Sequence, residues 1–306
     1  MQKERSHQRR AGAHLRERLD RGPPLLLDGA TGTELEARGV ASELPLWSAR
    51  ALLTAPEVVF RIHADYAEAG AEIITANTFR TQRRTLERAG TRARAAELTR
   101  LAADLARRAA DAQPNRVLVA GSAPTLEDCY RPDLAPGPAE SGPEHAEHAR
   151  LLAGAGIDLI LVETMNTIRE AIAASRAAAA VGLPFFASFV CWKGAHLLSG
   201  EPLAEAVAAI DAFSPLAVLV NCLPPSAVAP CLRVLSDQIR PFGVYANLGA
   251  PEAGDPGGRS EDCTPAEFAE HARSWVAAGA RVVGGCCGTT PAHIRALHEG
   301  LGRGGE

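Results

Sequence analysis

Eight short apolar runs, separated by longer amphipathic and alanine-rich stretches, limit what this chain can fold into. The runs are 24-PLLLD-28, 71-AEIIT-75, 116-RVLVA-120, 157-IDLILVE-163, 184-PFFASFV-190, 215-PLAVLVN-221, 242-FGVYAN-247 and 281-RVVGG-285. They have the length of strands and lack polar alternation, as parallel strands buried on both faces do. Helical candidates fill the gaps at 49–69, 81–111 (two helices broken near Gly90), 143–155, 167–181, 202–212, 225–238, 264–278 and 291–300. Thr264-Pro265 ahead of Glu267, and Thr290-Pro291, place Thr at an N-cap and Pro at the first helical position. Eight strand-then-helix units are the count of a (β/α)8 TIM barrel, an α/β fold that uses ~250 residues as one domain. A doubly wound open sheet is the alternative, but 29-GATGTE-34 lacks the G-x-G-x-x-G spacing expected after its first strand. Residues 21–306 are therefore read as one barrel domain. Residues 1–20 are read as an N-terminal extension, a solvated helix or frayed tail. Two loops rich in Pro and Gly, 121–143 and 249–263, are long enough to be functional.

Composition removes several classes. Of the 306 residues, 46% are apolar and 22% charged, which excludes a disordered chain. A net charge of -4 offers no basic footprint for nucleic acid. No apolar run reaches the ~20 residues of a membrane helix. The first 20 residues are charged throughout and lack the apolar core of a secretory signal. Seven cysteines, an odd number, do not suggest a disulfide framework. The expected setting is a reducing cytoplasm, where clustered cysteines serve metal binding or catalysis.

In barrels of this type the functional groups sit at the carboxyl ends of the strands. Those ends carry Asp28, Thr75 and Asn77, Glu163, Asn221 and Cys222, Asn247, and Cys286 with Cys287. Three thiols and two carboxylates thus fall on one rim. Cys222, Cys286 and Cys287 suit a zinc site with an open fourth position, since catalytic zinc takes three protein ligands plus water or substrate. A vicinal disulfide at Cys286-Cys287 is an alternative. Cys129, Cys191, Cys231 and Cys263 read as small buried hydrophobes. Asp28 and Glu163 admit several readings: an acid–base pair, an anchor for a substrate ammonium, or a turn cap and a salt-bridged strand end.

The segments 25-LLLDGATGTELEARG-39, 64-ADYAEAGAEIITANTFR-80, 161-LVETM-165, 220-VNC-222 and 284-GGCCGTTPAHI-294 resemble the homocysteine S-methyltransferases. They occur in the family's order from residue 24 to about 300. The resemblance implies a zinc-dependent barrel, one zinc per chain, that moves a methyl group from a small cationic donor to zinc-bound homocysteine thiolate and yields methionine. It implies that Cys222, Cys286 and Cys287 are the metal ligands and that Asp28 and Glu163 grip the substrate. Gly29, Asn77 and Asn221 are further substrate-binding candidates, and the backbone amides of 29–33 a nest for its carboxylate. The opening segment, with 46-LWSAR-50, looks closest to the users of S-methylmethionine or S-adenosylmethionine, with betaine a further donor. A cationic donor favours aromatic walls, and the candidates are Trp47, Phe79, Tyr130 and Trp192, with Asn247 beside them. Two loops depart from the family pattern, 121-GSAPTLEDCYRP-132 and 246-ANLGAPEAGDPGG-258, and both are expected to border the donor side. The rival readings are a methyltransferase for another thiol or selenol, such as selenocysteine, and a hydrolase or lyase using Asp28 and Glu163 as acid and base. A non-catalytic redox sensor cycling Cys286-Cys287 is the third.

Overall fold

The computed structural model describes residues 2–238, 240–249 and 263–302. Eight parallel strands form the centre: β1 (Leu25–Leu26), β2 (Ile73–Ala76), β3 (Leu118–Ala123), β4 (Leu159–Met165), β5 (Phe185–Phe189), β6 (Ala217–Asn221), β7 (Phe242–Ala246) and β8 (Val282–Gly285). From β2 onward each strand pairs in parallel with the next, and β8 pairs with β1. The ring closes between β1 and β2 through the Leu27–Ile73 bridge and the bond from the Asp28 amide to the Ile73 carbonyl, 3.0 Å. The fold is a single (β/α)8 barrel.

The helices before the fourth strand are α1 (Gln2–Arg21), α2 (Gly32–Ala37), α3 (Arg50–Thr54), α4 (Pro56–Glu68), α5 (Arg83–Arg88), α6 (Ala95–Asp111) and α7 (Pro138–Gly154). After it come α8 (Ile168–Ala180), α9 (Leu203–Ile210), α10 (Val228–Ser236), α11 (Pro265–Ala277) and α12 (Pro291–Gly300). The expected helix over 49–69 is two helices. Pro56 has no N–H to continue α3 and pushes Ala55 out of the helical region, to φ -151° and ψ 52°. The expected break near Gly90 is present, between α5 and α6. Helix α7 begins at Pro138 and not at 143, which shortens the loop expected over 121–143. Thr264 caps α11 as its sequence indicates: its hydroxyl accepts from the Glu267 amide at 3.3 Å, and Glu267 accepts from the Thr264 amide at 2.8 Å.

The uninterrupted apolar strands are explained by two cores. Leu25, Leu27, Ile73, Leu118, Ala120, Leu159, Leu161, Phe186, Leu219 and Val282 fill the barrel interior. Their neighbours Leu26, Ile74, Val119, Ile160, Val218 and Val283 point outward against the helices. Both faces of each strand are therefore buried.

Residues 12–20 are not a solvated or frayed tail. Leu15 and Leu19 of α1 are buried within the interior cluster, so this helix stops one end of the barrel. Arg281 ties it down by donating to the carbonyl of Leu19 at 2.8 Å, and Arg18 pairs with Glu72 at 2.6 Å. Leu19→Ala should lower unfolding free energy by about 2–5 kcal/mol, the usual cost of truncating a buried leucine. Urea denaturation would read this, and a change under about 0.5 kcal/mol would show that α1 is not part of the folding unit.

Candidate active site

The interior pattern of the strands turns polar one step before their carboxyl ends. Ile73 is followed two residues later by Thr75, Ala120 by Ser122, and Leu161 by Glu163. Two-residue periodicity keeps these side chains on the inner face. With Asp28, Tyr245, Cys222, Cys286 and Cys287 they line one pocket of about 940 Å³, counting its open mouth.

Cys222 follows β6, and Cys286 and Cys287 follow β8. The three sulfurs lie within 4.8 Å of one another. Cys222 Sγ is 3.0 Å from Cys286 Sγ, and none of the three is joined in a disulfide, so the vicinal pair is reduced. The turn is held by its backbone. The Cys286 amide donates to Ala246 O at 2.8 Å, the Cys287 amide to Asn247 Oδ1 at 3.0 Å, and Leu248 donates to Cys287 O at 3.0 Å. Gly285 is required here because a Cβ would collide with Thr289. Cys222 has φ 57°, Thr164 φ 59° and Trp47 φ 44°. Such left-handed backbone costs about 1–3 kcal/mol at a non-glycine residue, and all three residues line the pocket.

The cluster fits a soft divalent metal. Tetrahedral zinc with Zn–S of ~2.3 Å puts its thiolates about 3.8 Å apart, close to the observed grouping. Without a cation the thiols are poor acids: Cys222 is pushed well up by its hydrogen bond to Cys286 and by burial, and Cys287 by Cys222 and burial. Three adjacent buried thiolates need a metal to neutralise them.

Two carboxylates face the cluster. Asp28 accepts from the Thr75 amide at 2.7 Å and from the Thr75 hydroxyl at 2.9 Å. Glu163 accepts from the Ser122 hydroxyl, and from the Tyr245 hydroxyl at 3.2 Å. A register shift in β4 between Val162 and Met165 brings Glu163 and Thr164 to the pocket. Burial raises both carboxyls to about 7; the bonds from Thr75 oppose this at Asp28, and those from Ser122 and Tyr245 oppose it at Glu163. Among the described residues neither has an ion-pair partner. Two buried carboxylates without a protein cation leave negative charge on the pocket wall wherever they ionise.

The expected site residues divide into two groups. Asp28, Glu163, Gly29, Asn77, Trp47, Phe79 and Tyr130 line the pocket with the three cysteines. Trp47 packs over Gly32 and meets Phe79 edge-on at 5.6 Å. Asn77 donates to the Ser48 carbonyl at 2.9 Å, fixing the turn that carries Trp47. The Ala30 amide of the expected carboxylate nest donates to Thr289 Oγ1 at 3.3 Å. Asn221, Asn247 and Trp192 are not on the wall. Asn221 stands behind Cys222 and donates to its sulfur at 3.1 Å while accepting from Ser188 at 2.6 Å. Asn247 bridges the Cys287 amide and, at 3.4 Å, the Tyr130 hydroxyl. Trp192 sits half-buried beyond β5, its amide bonded to His196 O at 3.0 Å. Of the loop 246–258, residues 250–258 lie outside the described residues. Sequence reasoning missed Ser122 and Tyr245 as partners of Glu163. It also missed Arg80 and Asp128, which line the pocket.

Fold and site together define a (β/α)8 barrel enzyme with a three-cysteine centre able to hold a metal. The chain matches the homocysteine S-methyltransferase family model over residues 25–301. It is 35% identical to the homocysteine S-methyltransferase of Escherichia coli K12 over 309 residues, covering 92% of this chain and 97% of that one. It is 30% identical to the selenocysteine Se-methyltransferase of Brassica oleracea var. italica, covering 90% and 88%. The metallated crystal form of the E. coli homocysteine methyltransferase MmuM superposes with a TM-score of 0.80 at 31% identity, over 92% of this chain and 97% of that one. The chain belongs to the homocysteine S-methyltransferase family and is a thiol methyltransferase. The hydrolase or lyase reading and the non-catalytic sensor reading fall with that membership. Among the described residues no helix is long and apolar enough to cross a membrane.

Proposed function

We propose that this protein methylates homocysteine to methionine, using zinc held by Cys222, Cys286 and Cys287 and a small cationic donor. The observation that carries the reading is three sulfurs within 4.8 Å in one pocket with two buried, uncompensated carboxylates. Zinc, when bound, supplies a Lewis acid that keeps a fourth sulfur as the nucleophilic thiolate near neutral pH.

The protein's own residues do the rest. Asp28 and Glu163 take the substrate ammonium between them, and Thr75, Ser122 and Tyr245 fix the carboxylate orientation. The homocysteine sulfur then lies at the cluster. Its lone pair forms the new bond to the methyl carbon, while the donor's bond to that carbon breaks and its electron pair stays on the donor. No proton moves in this step, so no general base is needed. Trp47, Phe79 and Tyr130 offer aromatic faces to the donor's positive charge. S-methylmethionine and S-adenosylmethionine are the favoured donors, and betaine is a third. Selenocysteine is the second acceptor, favoured by the relative that carries that activity in its name.

The test is metal content of reduced protein purified without chelator, with methionine formation assayed for each donor separately and for homocysteine against selenocysteine. We expect one zinc per chain and turnover with a sulfonium donor. Protein lacking stoichiometric metal, yet active, would overturn the zinc reading. Turnover with selenocysteine alone would reassign the acceptor.

A further inference from the structure

The pocket wall formed by the loops after β2 and β3 carries a buried arginine that makes no ion pair among the described residues. Arg80 is 6% exposed and lines the pocket. Its Nη1 donates a long bond, 3.4 Å, to the Glu127 carbonyl, and its guanidinium lies 5.2 Å from the Phe79 ring centre. Its Nε has no hydrogen-bond partner. Among the described residues it makes no ion pair. A buried guanidinium is costly unless an anion meets it, and burial pulls its pKa down. The acidic residue whose carbonyl it reaches is no help: the Glu127 carboxylate is taken by Arg84 at 3.0 Å and by Arg88 at 2.5 and 2.6 Å.

The surroundings are built and do not depend on a ligand to form. Leu126 donates its amide to Glu170 at 2.8 Å and accepts from Gln82 at 3.3 Å, which fixes the turn before Asp128. Asp128 lines the same wall, half-buried, with one oxygen accepting from the Tyr130 amide at 2.9 Å. One cation and one anion thus share the wall that holds Phe79 and Tyr130. Arg80 and Asp128 lie on the loops after β2 and β3, whereas Asp28 follows β1 and Glu163 lies within β4. The pair is thus carried by other segments than the carboxylates assigned to the acceptor's ammonium.

Resting on the methyl-transfer reading, we infer that Arg80 and Asp128 form a head-group subsite for the α-carboxylate and α-ammonium of an amino-acid sulfonium donor. The pair selects such donors over cations that lack the head group. A carboxylate on Arg80 supplies the missing anion, and the ammonium on Asp128 completes a zwitterion clamp. The sulfonium is then left against the aromatic faces.

The test is calorimetric binding to the full-length metal-loaded protein of three probes: S-methylmethionine, dimethylsulfoniopropionate (carboxylate without ammonium) and trimethylsulfonium (neither). Wild type should bind S-methylmethionine at least about tenfold more tightly than trimethylsulfonium, as a charge-assisted contact warrants. Arg80→Gln should bring those two within about threefold and leave the homocysteine Kd unchanged. Asp128→Asn should weaken S-methylmethionine and spare dimethylsulfoniopropionate; being half-exposed, it carries the comparison if Arg80→Gln does not fold. Equal binding of the three probes by wild type overturns the subsite. So does an Arg80→Gln protein that loses homocysteine and keeps the donor, since Arg80 would then hold the acceptor's carboxylate. Turnover without this selectivity sinks the subsite and leaves methyl transfer standing; selectivity without methionine formation does the reverse.

Discussion

Cys287→Ala is expected to lose its metal and its methyl transfer while the barrel remains folded. Cys287 is 6% exposed and its sulfur lies within 4.8 Å of those of Cys222 and Cys286. Alanine removes one of three ligands, and the two that remain cannot form the closed side of a tetrahedral site. The homocysteine thiol then keeps a pKa near ~8.5 and is mostly protonated at neutral pH. Losing a Lewis acid worth several kcal/mol should lower kcat by about 1000-fold or more. The backbone bonds that hold the turn survive, because Asn247 Oδ1 and Leu248 bond the main chain of residue 287 and not its side chain. Far-UV circular dichroism should therefore be unchanged, and the thermal midpoint close to wild type. Cys263→Ala, a half-buried cysteine outside the cluster, is the control and should retain metal and activity. A Cys287→Ala protein with full activity would refute the ligand assignment.

Much of this site was legible before the fold was known, and the exceptions have physical causes. Apolar runs of strand length without polar alternation marked the parallel strands. Their carboxyl ends then brought Cys222 and Cys286 to one rim across 64 residues of sequence. Two-residue periodicity along the runs would have found Ser122 and Tyr245, since each shares the inner face of its strand; Ser122 lies past the run read as 116–120, and Tyr245 lies inside the run 242–247, read only at its end. Arg80 was missed for a different reason. Its meaning lies in the lack of an ion pair at its buried guanidinium, and a contact missing in space leaves no mark in sequence. Asn221 and Asn247 were misjudged by one layer. A residue next to a ligand in sequence can face away from the pocket, as Asn221 does when it donates to Cys222 Sγ from behind. Trp192 lies beyond β5, in a hairpin whose path the strand pattern could not give. The burial of α1 was hidden by its charge, since only Leu15 and Leu19 of its described side chains enter the interior cluster.

Glu163→Gln separates an anchoring carboxylate from a structural one because the two roles predict opposite changes in stability. Burial holds the Glu163 carboxyl at about 7, above its ordinary value. A carboxyl raised in the folded state binds more protons folded than unfolded between pH ~4 and 7, so it lowers stability as pH rises through that window. Above pH 7 the empty pocket carries this uncompensated charge, a penalty of up to about 3 kcal/mol. Gln keeps the size of Glu; its carbonyl oxygen can accept from one of the two hydroxyls that bond Glu163, and its amide NH2 can donate to the oxygen of the other, Ser122 and Tyr245 lying on different carboxylate oxygens. The variant should accordingly be more stable than wild type at pH 8 and closer to it at pH 5. A salt-bridged or structural glutamate would give a less stable variant. Substrate binding should move the other way. Removing one charge from a buried ammonium site costs about 2–5 kcal/mol, so the homocysteine Kd should rise about 30-fold or more. Zinc should be retained, since Glu163 is not one of the three clustered residues. In wild type, homocysteine affinity should also fall as pH drops below about 7, where Asp28 and Glu163 take up protons. The thiol of homocysteine adds its own pH dependence, common to both proteins, so the difference between the two profiles isolates the carboxylate. Asp28→Asn combined with Glu163→Gln should leave only the pH dependence of the thiol. Calorimetric binding from pH 5 to 8, paired with urea denaturation of the ligand-free proteins, reads both halves. A variant that loses zinc but binds homocysteine normally would reverse the assignment of roles. A variant less stable at pH 8 would return Glu163 to a structural part of the barrel.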